Sequence, residues 1–387
     1  MIVASFQNHF SKSSQLPCQR RETCTRGETP LAFPNYYKFK QQSRLPLRGR
    51  SRIAATQIIS TKTIAYYLSD GIGCCTHVVV VFSHRRDISG KSIIMTPVTP
   101  PRTIVNPVAS LAAPVSLDLP GPGPIIKMPY VQTGEGDLVV FVHGSLCDFR
   151  FWQPQLSGLA PQFACLAPSL THYWPAEPSE ALPTFSWSTH ADQLGAFVRQ
   201  LGAGPVHLVG HSRGGCVAFY MAHRYPELVR SLTLCDPGGS LSGVPNLAAP
   251  TASLETKRLR TRAVTLIANG EVAAGLELFV DSVSRPGTWQ KSTPGFRTMA
   301  TDNARTLSMQ LRDPLPAYST ELAGGIACPT LLIDGEKSPA MFRENVGALA
   351  TWIPNASRVT IEGASHGMNL ARPSAFNRHL TAFLKGA

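Results

Sequence analysis

The sequence of 387 residues lacks three features that would assign it to common classes of protein. No apolar run approaches the roughly 20 residues that a membrane-spanning helix needs, and a run such as His77–Phe82 is far too short. The nine cysteines are scattered, without a CxxC pair or a His/Cys cluster at zinc-ligand spacing. We therefore expect no membrane span, no metal site and no disulfide framework, but free thiols in a reducing compartment such as the cytoplasm.

Acidic residues are scarce only in the first quarter of the chain. Residues 1–94 contain 14 Lys or Arg and 4 Asp or Glu, whereas residues 95–387 contain 22 and 20. The formal net charge of +12 therefore belongs almost wholly to the first quarter. Nucleic-acid binding needs basic residues concentrated on a folded face, so we expect no nucleic-acid partner for the rest of the chain.

Residues 1–94 also lack the periodicity of a helix or a strand, as the segment Gln41–Arg52 illustrates. They fit a disordered tail, or an Arg- and Ser-rich targeting segment that would direct the protein to an organelle. They also fit a stretch outside the natural protein, with translation beginning at Met95. We favour this last interpretation and expect the basic N-terminal extension to be dispensable. Residues 95–124 are predicted to form a linker.

From about Ile125 the chain alternates between apolar, β-branched runs and helical patterns. The runs that end in turns are predicted strands, at residues 137–144, 205–212, 229–237, 329–335 and 357–363. Helical spacing with start or stop signals covers residues 188–202, 215–226 and 374–386. Strands that alternate with helices in this way predict a doubly wound α/β sheet.

One segment without convincing strands interrupts the alternation. It spans residues 238–325 and includes a pattern that indicates two helices separated at Asn269-Gly270. We predict that this segment is a helical cap inserted between two core strands. The α/β core is then expected at residues 125–237 and 326–387.

The strongest motif is LVGHSRGG, Leu208–Gly215, in which Gly210, Ser212 and Gly214 match G-x-S-x-G. The motif directly follows an apolar strand and directly precedes a helix, which is the context that this turn requires. Only glycine leaves room on either side of so sharp a turn, and the helix N-terminus favours the negative charge that develops during attack. We therefore predict that Ser212 is a nucleophile.

A serine nucleophile needs a base, and His366 lies in a short loop between the last predicted strand and the last predicted helix. It should therefore meet Ser212 at the carboxyl edge of the strands. His172 is assigned to a polar loop, His190 to a structural role in a helix, and His211 to the turn itself, pointing away from the nucleophile.

An oxyanion hole is the third requirement of acyl-transfer chemistry. The backbone N–H of Arg213, the residue after the nucleophile, is the first expected donor. The second should come from the turn that begins at His143. We expect the N–H of Ser145 to supply it, with Leu146 as the alternative.

As a set, HG at 143–144, GHSRGG at 210–215, the helical insertion and SHG at 365–367 resemble the α/β-hydrolase superfamily. The resemblance covers about residues 125–387. It implies an eight-stranded, mostly parallel sheet with a mobile cap, and acyl-transfer or related chemistry without metal or cofactor. Members that cleave epoxides or carbon–halogen bonds use an aspartate nucleophile, so Ser212 argues against those activities.

The acid of the triad is absent from the place where this superfamily normally has it, three residues after Gly335, where the chain has Ser338. Asp236, Asp334 and Glu336 are the remaining candidates. We favour Asp236 because it ends the strand after the nucleophile helix and preserves the chain order Ser, Asp, His. Glu336 is the alternative acid, and Asp334 is expected only to fix the turn.

These features predict a serine hydrolase that cleaves a small ester, thioester or lactone through an acyl-enzyme, with a small molecule as its partner and no cofactor. A carbon–carbon bond hydrolase or a cofactor-free haloperoxidase on the same fold remains an alternative, as does a non-catalytic ligand receptor. Leu146, Phe149 and Trp152, together with Phe151, are candidate pocket residues, although the three aromatic side chains could equally be core. The substrate and the oligomeric state are not predicted.

Overall fold

The computed structural model describes residues 113–120, 125–179, 182–242 and 254–387, together with the backbone of two short upstream segments. These segments, Arg85–Arg86 and Ser92–Ile93, pair as antiparallel strands. The predictions for the basic N-terminal extension otherwise lie outside the described residues.

An eight-stranded sheet organises the chain from residue 115 onward. Its strands are β1 Val115–Leu119, β2 Ile126–Thr133, β3 Leu138–Val142, β4 Ala164–Pro168, β5 Val206–His211, β6 Val229–Cys235, β7 Thr330–Gly335 and β8 Ala356–Ile361. Their spatial order is β8-β7-β6-β5-β3-β4-β2-β1. The β1–β2 and β2–β4 pairs are antiparallel, and all the other pairs are parallel. The structure therefore confirms the predicted eight-stranded, mostly parallel α/β sheet.

Strand β1 corrects the predicted boundary of the linker, because it lies inside residues 95–124. It pairs with β2 in a register that joins Val115 to Tyr130 and Leu119 to Ile126. As an edge strand, β1 leaves most of its side chains exposed and buries only Leu119 fully. Its apolar signal is therefore short and weak, unlike the continuous runs of the central strands.

The helices cover both faces of the sheet or form the cap. Those within the described residues are α1 Gln153–Leu159, α2 Trp187–Leu201, α3 Arg213–Arg224, α4 Leu254–Ala268, α5 Val272–Val283, α6 Thr288–Lys291, α7 Pro294–Asp302, α8 Thr306–Arg312, α9 Thr320–Gly324, α10 Ala340–Trp352, α11 Met368–Ala371 and α12 Pro373–Leu384. Short 3-10 turns occupy Phe149–Trp152 and Pro226–Leu228. None of the helices in this part of the chain combines the length and apolarity needed to cross a bilayer.

Each face of the sheet has its own apolar core. Val140 and Leu208 pack on one face in the cluster that includes helices α2, α3 and α10. Val139 and Val209, their neighbours along the strands, pack on the other face with α1 and α12. Alternate side chains of a strand point to opposite faces, so burial on both faces explains the continuous apolar runs in the sequence.

The cap is helical, and it lies between β6 and β7 in the chain. Helices α4 and α5 are separate, with the break at the predicted Asn269-Gly270 position. The cap helices share an apolar cluster that also includes Leu146 from the turn after β3. Among the described residues of this segment, 238–242 and 254–325, the strands form one short parallel pair, Ser240–Leu241 with Ala317–Tyr318. This pair joins the two ends of the segment.

Candidate active site

Ser212 occupies the tight turn between β5 and α3. Its φ of 54° and ψ of −122° are strained for a residue with a side chain. The turn is held from both sides, because the Ser212 N–H donates to the Cys235 carbonyl at 3.0 Å and the Ser212 carbonyl accepts from the Gly238 N–H at 2.8 Å. A strained turn that projects a serine from the sheet edge matches the predicted nucleophile turn.

The glycines around Ser212 have no room for a side chain. A Cβ on Gly210 would lie 2.5 Å from the Gly214 carbonyl oxygen, and one on Gly214 would lie 2.2 Å from the His143 carbonyl oxygen. A Cβ on Gly144 would lie 2.9 Å from the Ser212 Cβ. These glycines therefore allow the turn after β3 to contact the nucleophile turn directly.

His366 and Asp236 meet at the same sheet edge. His366 lies in the loop after β8, and its Nδ1 is 3.0 Å from Asp236 Oδ2. Asp236 follows β6, is completely buried and has a φ of 41°. Its N–H donates to the Ile333 carbonyl at 2.8 Å, which fixes the carboxylate against β7. The structure thus brings the predicted base and the favoured acid into hydrogen-bond contact.

Two rings enclose the imidazole of His366. Phe342 stacks on it with a centroid separation of 4.0 Å and an interplanar angle of 19°. On another side, the ring of His211 lies with its centroid 4.6 Å away. The Nε2 of His211 donates to the backbone carbonyl of His366 at 2.7 Å and so anchors the loop. The sequence predicts His211 only as part of the turn, and no signal in it identifies Phe342.

Burial shifts the pKa values of both groups in this pair. Desolvation lowers the pKa of His366 to about 3, so the imidazole is neutral at neutral pH and able to accept a proton. Desolvation also raises the pKa of Asp236 to about 7, while the hydrogen bond from Ser338 lowers it. Ser338 therefore stabilises the ionised carboxylate, which is the form that can accept the His366 Nδ1 proton.

Ser338, at the position where the resemblance leads one to expect an acid, contacts Asp236. Its Oγ donates to Asp236 Oδ2 at 2.6 Å and accepts from the Gly335 N–H at 3.2 Å. The other two carboxylates bind elsewhere. Glu336 Oε2 accepts the Gly363 N–H at 2.6 Å, and Asp334 accepts from Thr360 Oγ1 at 2.7 Å and pairs with Arg358.

The expected oxyanion-hole residues flank Ser212. Arg213 is the first residue of α3, and Ser145 and Leu146 lie in the turn after β3. Leu146 has a φ of 60°, which shows how sharply this turn bends. The Oγ of Ser145 donates to Gln310 Oε1 at 2.7 Å, so a hydrogen bond to cap helix α8 holds the side chain.

A cavity of about 1550 Å³ lies between the sheet edge and the cap. Ser212, His366, Arg213, Ser145 and Leu146 all line it. Apolar side chains of the turn after β3 and of the cap line it as well, and these are Phe151, Val264, Phe279, Val280, Phe296 and Met299. Within the described part of the chain, no group of three His, Cys, Asp or Glu side chains is arranged to hold a metal ion.

Two of the candidate pocket residues belong to the core instead. Phe149 and Trp152 are buried in the cluster beneath α1 and α12, and neither lines the cavity. Leu146 lines it as expected, and Phe151 is the aromatic residue of this turn that reaches it. The 3-10 turn determines which rings face inward, and the sequence does not show that orientation.

Comparison with known proteins places the chain in a family. The family model for the alpha/beta hydrolase fold matches residues 137–373, more than half of the chain. A 2-(acetamidomethylene)succinate hydrolase from Mesorhizobium japonicum is 23% identical over 275 residues, which are 65% of this chain and 90% of that protein. The chloroplastic protein PHYLLO from Arabidopsis thaliana is 26% identical over 177 residues, 44% of this chain but only 10% of that much longer protein.

Solved structures show the same fold at low sequence identity. A bromoperoxidase from Bacillus anthracis superimposes with a TM-score of 0.59 at 20% identity, covering 70% of this chain and all of that one. A thermophilic esterase from Thermogutta terrifontis superimposes with a TM-score of 0.56 at 22% identity, covering 71% of this chain and 99% of that one. The sheet order, the nucleophile turn and the family match lead to one conclusion: the chain belongs to the α/β-hydrolase fold family.

Proposed function

We propose that the protein is a serine hydrolase that cleaves a small ester, thioester or lactone through an acyl-enzyme on Ser212. The proposal rests on one observation above all, the 3.0 Å contact between His366 Nδ1 and the buried Asp236 carboxylate at the edge where Ser212 projects. Relatives whose names include hydrolase and esterase support hydrolysis as the reaction class. The cytoplasmic location, or an organelle location if residues 1–94 are a targeting segment, stays a prediction.

Formation of the acyl-enzyme uses each group in turn. The Ser212 Oγ attacks the carbonyl carbon while His366 Nε2 takes the hydroxyl proton, and the carbonyl π electrons move onto oxygen. Asp236 holds the imidazole through Nδ1 and stabilises the imidazolium that forms. The backbone N–H groups of Arg213 and Ser145 donate to the oxyanion. Collapse of this intermediate expels the alcohol or thiol, which leaves with the proton from His366.

Release of the acid repeats the sequence with water as the nucleophile. His366 Nε2 takes a proton from the attacking water, and the new oxyanion occupies the same pair of N–H donors. Collapse then breaks the bond to Ser212 Oγ, which recovers the proton from His366. Because burial lowers the pKa of His366, the imidazole starts each half-reaction as a neutral base.

The experiment that tests the proposal is direct detection of the acyl-enzyme. The purified protein is mixed with p-nitrophenyl esters of short acids, quenched in acid and digested for mass spectrometry. We expect turnover, together with a peptide containing Ser212 that is heavier by one acyl group. A protein that binds these esters, as judged by a rise in melting temperature, but neither turns them over nor becomes acylated would instead be a ligand receptor.

A further inference from the structure

The cap side of the cavity contains basic side chains without ionic partners. Lys257, Arg260, Arg285 and Lys291 all line the cavity, and none forms an ion pair with another described residue. Glu344 is the one lining carboxylate, among the described residues, that is likewise unpaired. The cavity that contains the catalytic serine is therefore positive on balance.

Arg260 differs from the other three cations in its burial. Lys257, Arg285 and Lys291 are exposed, so water solvates their charges. Arg260 is partly buried, and its Nε lies out of reach of solvent without a hydrogen-bond partner among the described residues. Desolvation lowers the pKa of the Arg260 guanidinium from its ordinary value, but an arginine remains charged at neutral pH. A desolvated charge without a partner is costly, and proteins normally pair it.

The other arginines at this cavity show the usual arrangement. Arg213 is buried and forms an ion pair with Asp313, and Arg150 is paired with both Asp148 and Asp302. Each of these guanidinium groups therefore has a carboxylate supplied by the fold. Arg260 is the exception among the partly buried or buried arginines that line the cavity.

The position of Arg260 on α4 directs it to the cavity. Thr256 and Lys257 lie four and three residues before Arg260, and Val264 lies four residues after it, so these cavity-lining residues share one face of the helix. Arg258 and Arg262 border a separate outer groove. The sequence that precedes α4, GVPNLAAPTAS at 243–253, contains no Asp or Glu that could pair with Arg260.

We propose that Arg260 binds a carboxylate of the substrate, so that the enzyme prefers acidic esters over neutral esters of the same length. This inference rests on the proposed hydrolase function and names its substrate class. A guanidinium pairs with a carboxylate through two parallel N–H···O bonds, and the single charge of a carboxylate matches the single charge of the unpaired Arg260. Binding would also remove the cost of leaving Arg260 unpaired.

The test compares two ester series that differ only in charge. One contains p-nitrophenyl butyrate and its longer homologues, and the other contains the mono-p-nitrophenyl esters of succinate, glutarate and adipate. We expect Arg260→Met to lower kcat/KM for the best acidic ester by about ten- to a hundredfold, the range of a hydrogen-bonded charge, and to change the neutral series much less. Arg260→Lys should recover part of the preference.

Arg258→Met supplies the matched control, because Arg258 is an exposed arginine of the same helix outside the cavity. It should leave both series unchanged. Retained hydrolysis of the neutral esters by Arg260→Met shows that this variant is folded. If its ratio of acidic to neutral kcat/KM equals that of the unmodified protein, the carboxylate site is disproved while the hydrolase function stands.

A binding measurement with a ligand that cannot be hydrolysed tests the carboxylate site independently of the proposed hydrolase function. Titration calorimetry with glutarate should show binding to the unmodified protein and at least tenfold weaker binding to Arg260→Met. Inorganic phosphate in place of glutarate tests whether the site takes another oxyanion. Equal affinity of glutarate for both proteins, or a preference for phosphate over glutarate, would overturn the proposal whether or not any ester is hydrolysed.

Discussion

The sheet edge and the cap supply different kinds of polar group to one cavity. At the sheet edge, the Asp236 carboxylate receives hydrogen bonds from His366 and Ser338, so the fold orients these groups before any substrate arrives. On the cap, Arg260 has no ionic partner among the described residues. In the proposed function, the sheet edge therefore holds catalytic groups that are oriented in advance, and the cap holds a charged group that the substrate would pair.

Among the substitutions at the sheet edge, removal of the Ser212 hydroxyl should have the largest effect on activity. Ser212→Ala should lower kcat for p-nitrophenyl esters by about 10⁶, as for other serine nucleophiles, because no other group of the proposed mechanism can form the acyl-enzyme. Ser292→Ala is the control, since Ser292 lines the same cavity and bonds only within the cap. Activity that survives in Ser212→Ala would remove Ser212 from the mechanism.

Removal of the acid should have the next largest effect. In Asp236→Asn, an amide replaces the carboxylate and favours the wrong tautomer of His366, so kcat should fall by up to about 10⁴, the loss known for the same change in a serine protease. Circular dichroism should show an unchanged fold. Glu336→Gln should retain most activity, because Glu336 is exposed and bonds to the Gly363 N–H. The reverse pattern would assign the acid to Glu336.

Because Ser338 contacts Asp236, a carboxylate at position 338 can be tested as a replacement for the one at position 236. Ser338 Oγ lies 2.6 Å from the same carboxylate oxygen that contacts His366, so a carboxylate at position 338 would lie near the imidazole. Ser338→Asp introduced into Asp236→Asn should therefore restore at least about tenfold of the lost kcat. A double variant that is no faster than Asp236→Asn would show that position 338 cannot orient His366.

Loss of the Ser338 hydroxyl alone should have a smaller, pH-dependent effect. Burial raises the pKa of Asp236 to about 7, and the Ser338 hydroxyl, which stabilises the ionised form, keeps that pKa from being higher. In Ser338→Ala that pKa should rise, so the acidic limb of kcat/KM should move to higher pH, with activity about tenfold lower at pH 7. Ser338→Thr retains the hydroxyl and should restore the profile. A uniform loss at every pH would indicate a structural role only.

Substitutions at the sheet edge and in the cap should also differ in their effect on stability. Gly214→Ala would place a Cβ 2.2 Å from the His143 carbonyl oxygen, and we expect it to lower the free energy of unfolding by about 1–3 kcal/mol. Gly295 in cap helix α7 has no atom within 4 Å of such a Cβ. Gly295→Ala should therefore leave the free energy of unfolding unchanged or raise it by under about 1 kcal/mol. Urea titration of both variants and of the unmodified protein measures these changes.

Much of the sheet edge was predictable because its signals are local. The motif around Ser212 lies between an apolar strand and a helix, and parallel strands end at one edge. Because His366 and Asp236 each follow a predicted strand, they could be assigned to that edge. The contact from Ser338 to Asp236 was not predicted. It depends on the paths of the loops that follow the neighbouring strands β6 and β7, and the sequence does not show those paths.

The cap was predictable only as helices. Its sequence shows the break between α4 and α5, but helical periodicity does not tell which face of α4 meets the cavity, so Arg260 was not identified. Strand β1 was missed for a similar reason, and the sequence did not tell which of the candidate rings, Phe149, Phe151 and Trp152, reaches the cavity. An edge strand buries few side chains, and the orientation of a 3-10 turn depends on its tertiary contacts.

Activation of Ser212 through His366 by Asp236 is central to the proposed function, and one labelling experiment tests it directly. A fluorophosphonate probe is added to the unmodified protein and to Asp236→Asn, and the adduct is located and timed by mass spectrometry. We expect a single adduct on Ser212 that forms roughly a thousandfold more slowly in Asp236→Asn. An adduct on another residue, or equal labelling rates in the two proteins, would contradict the account.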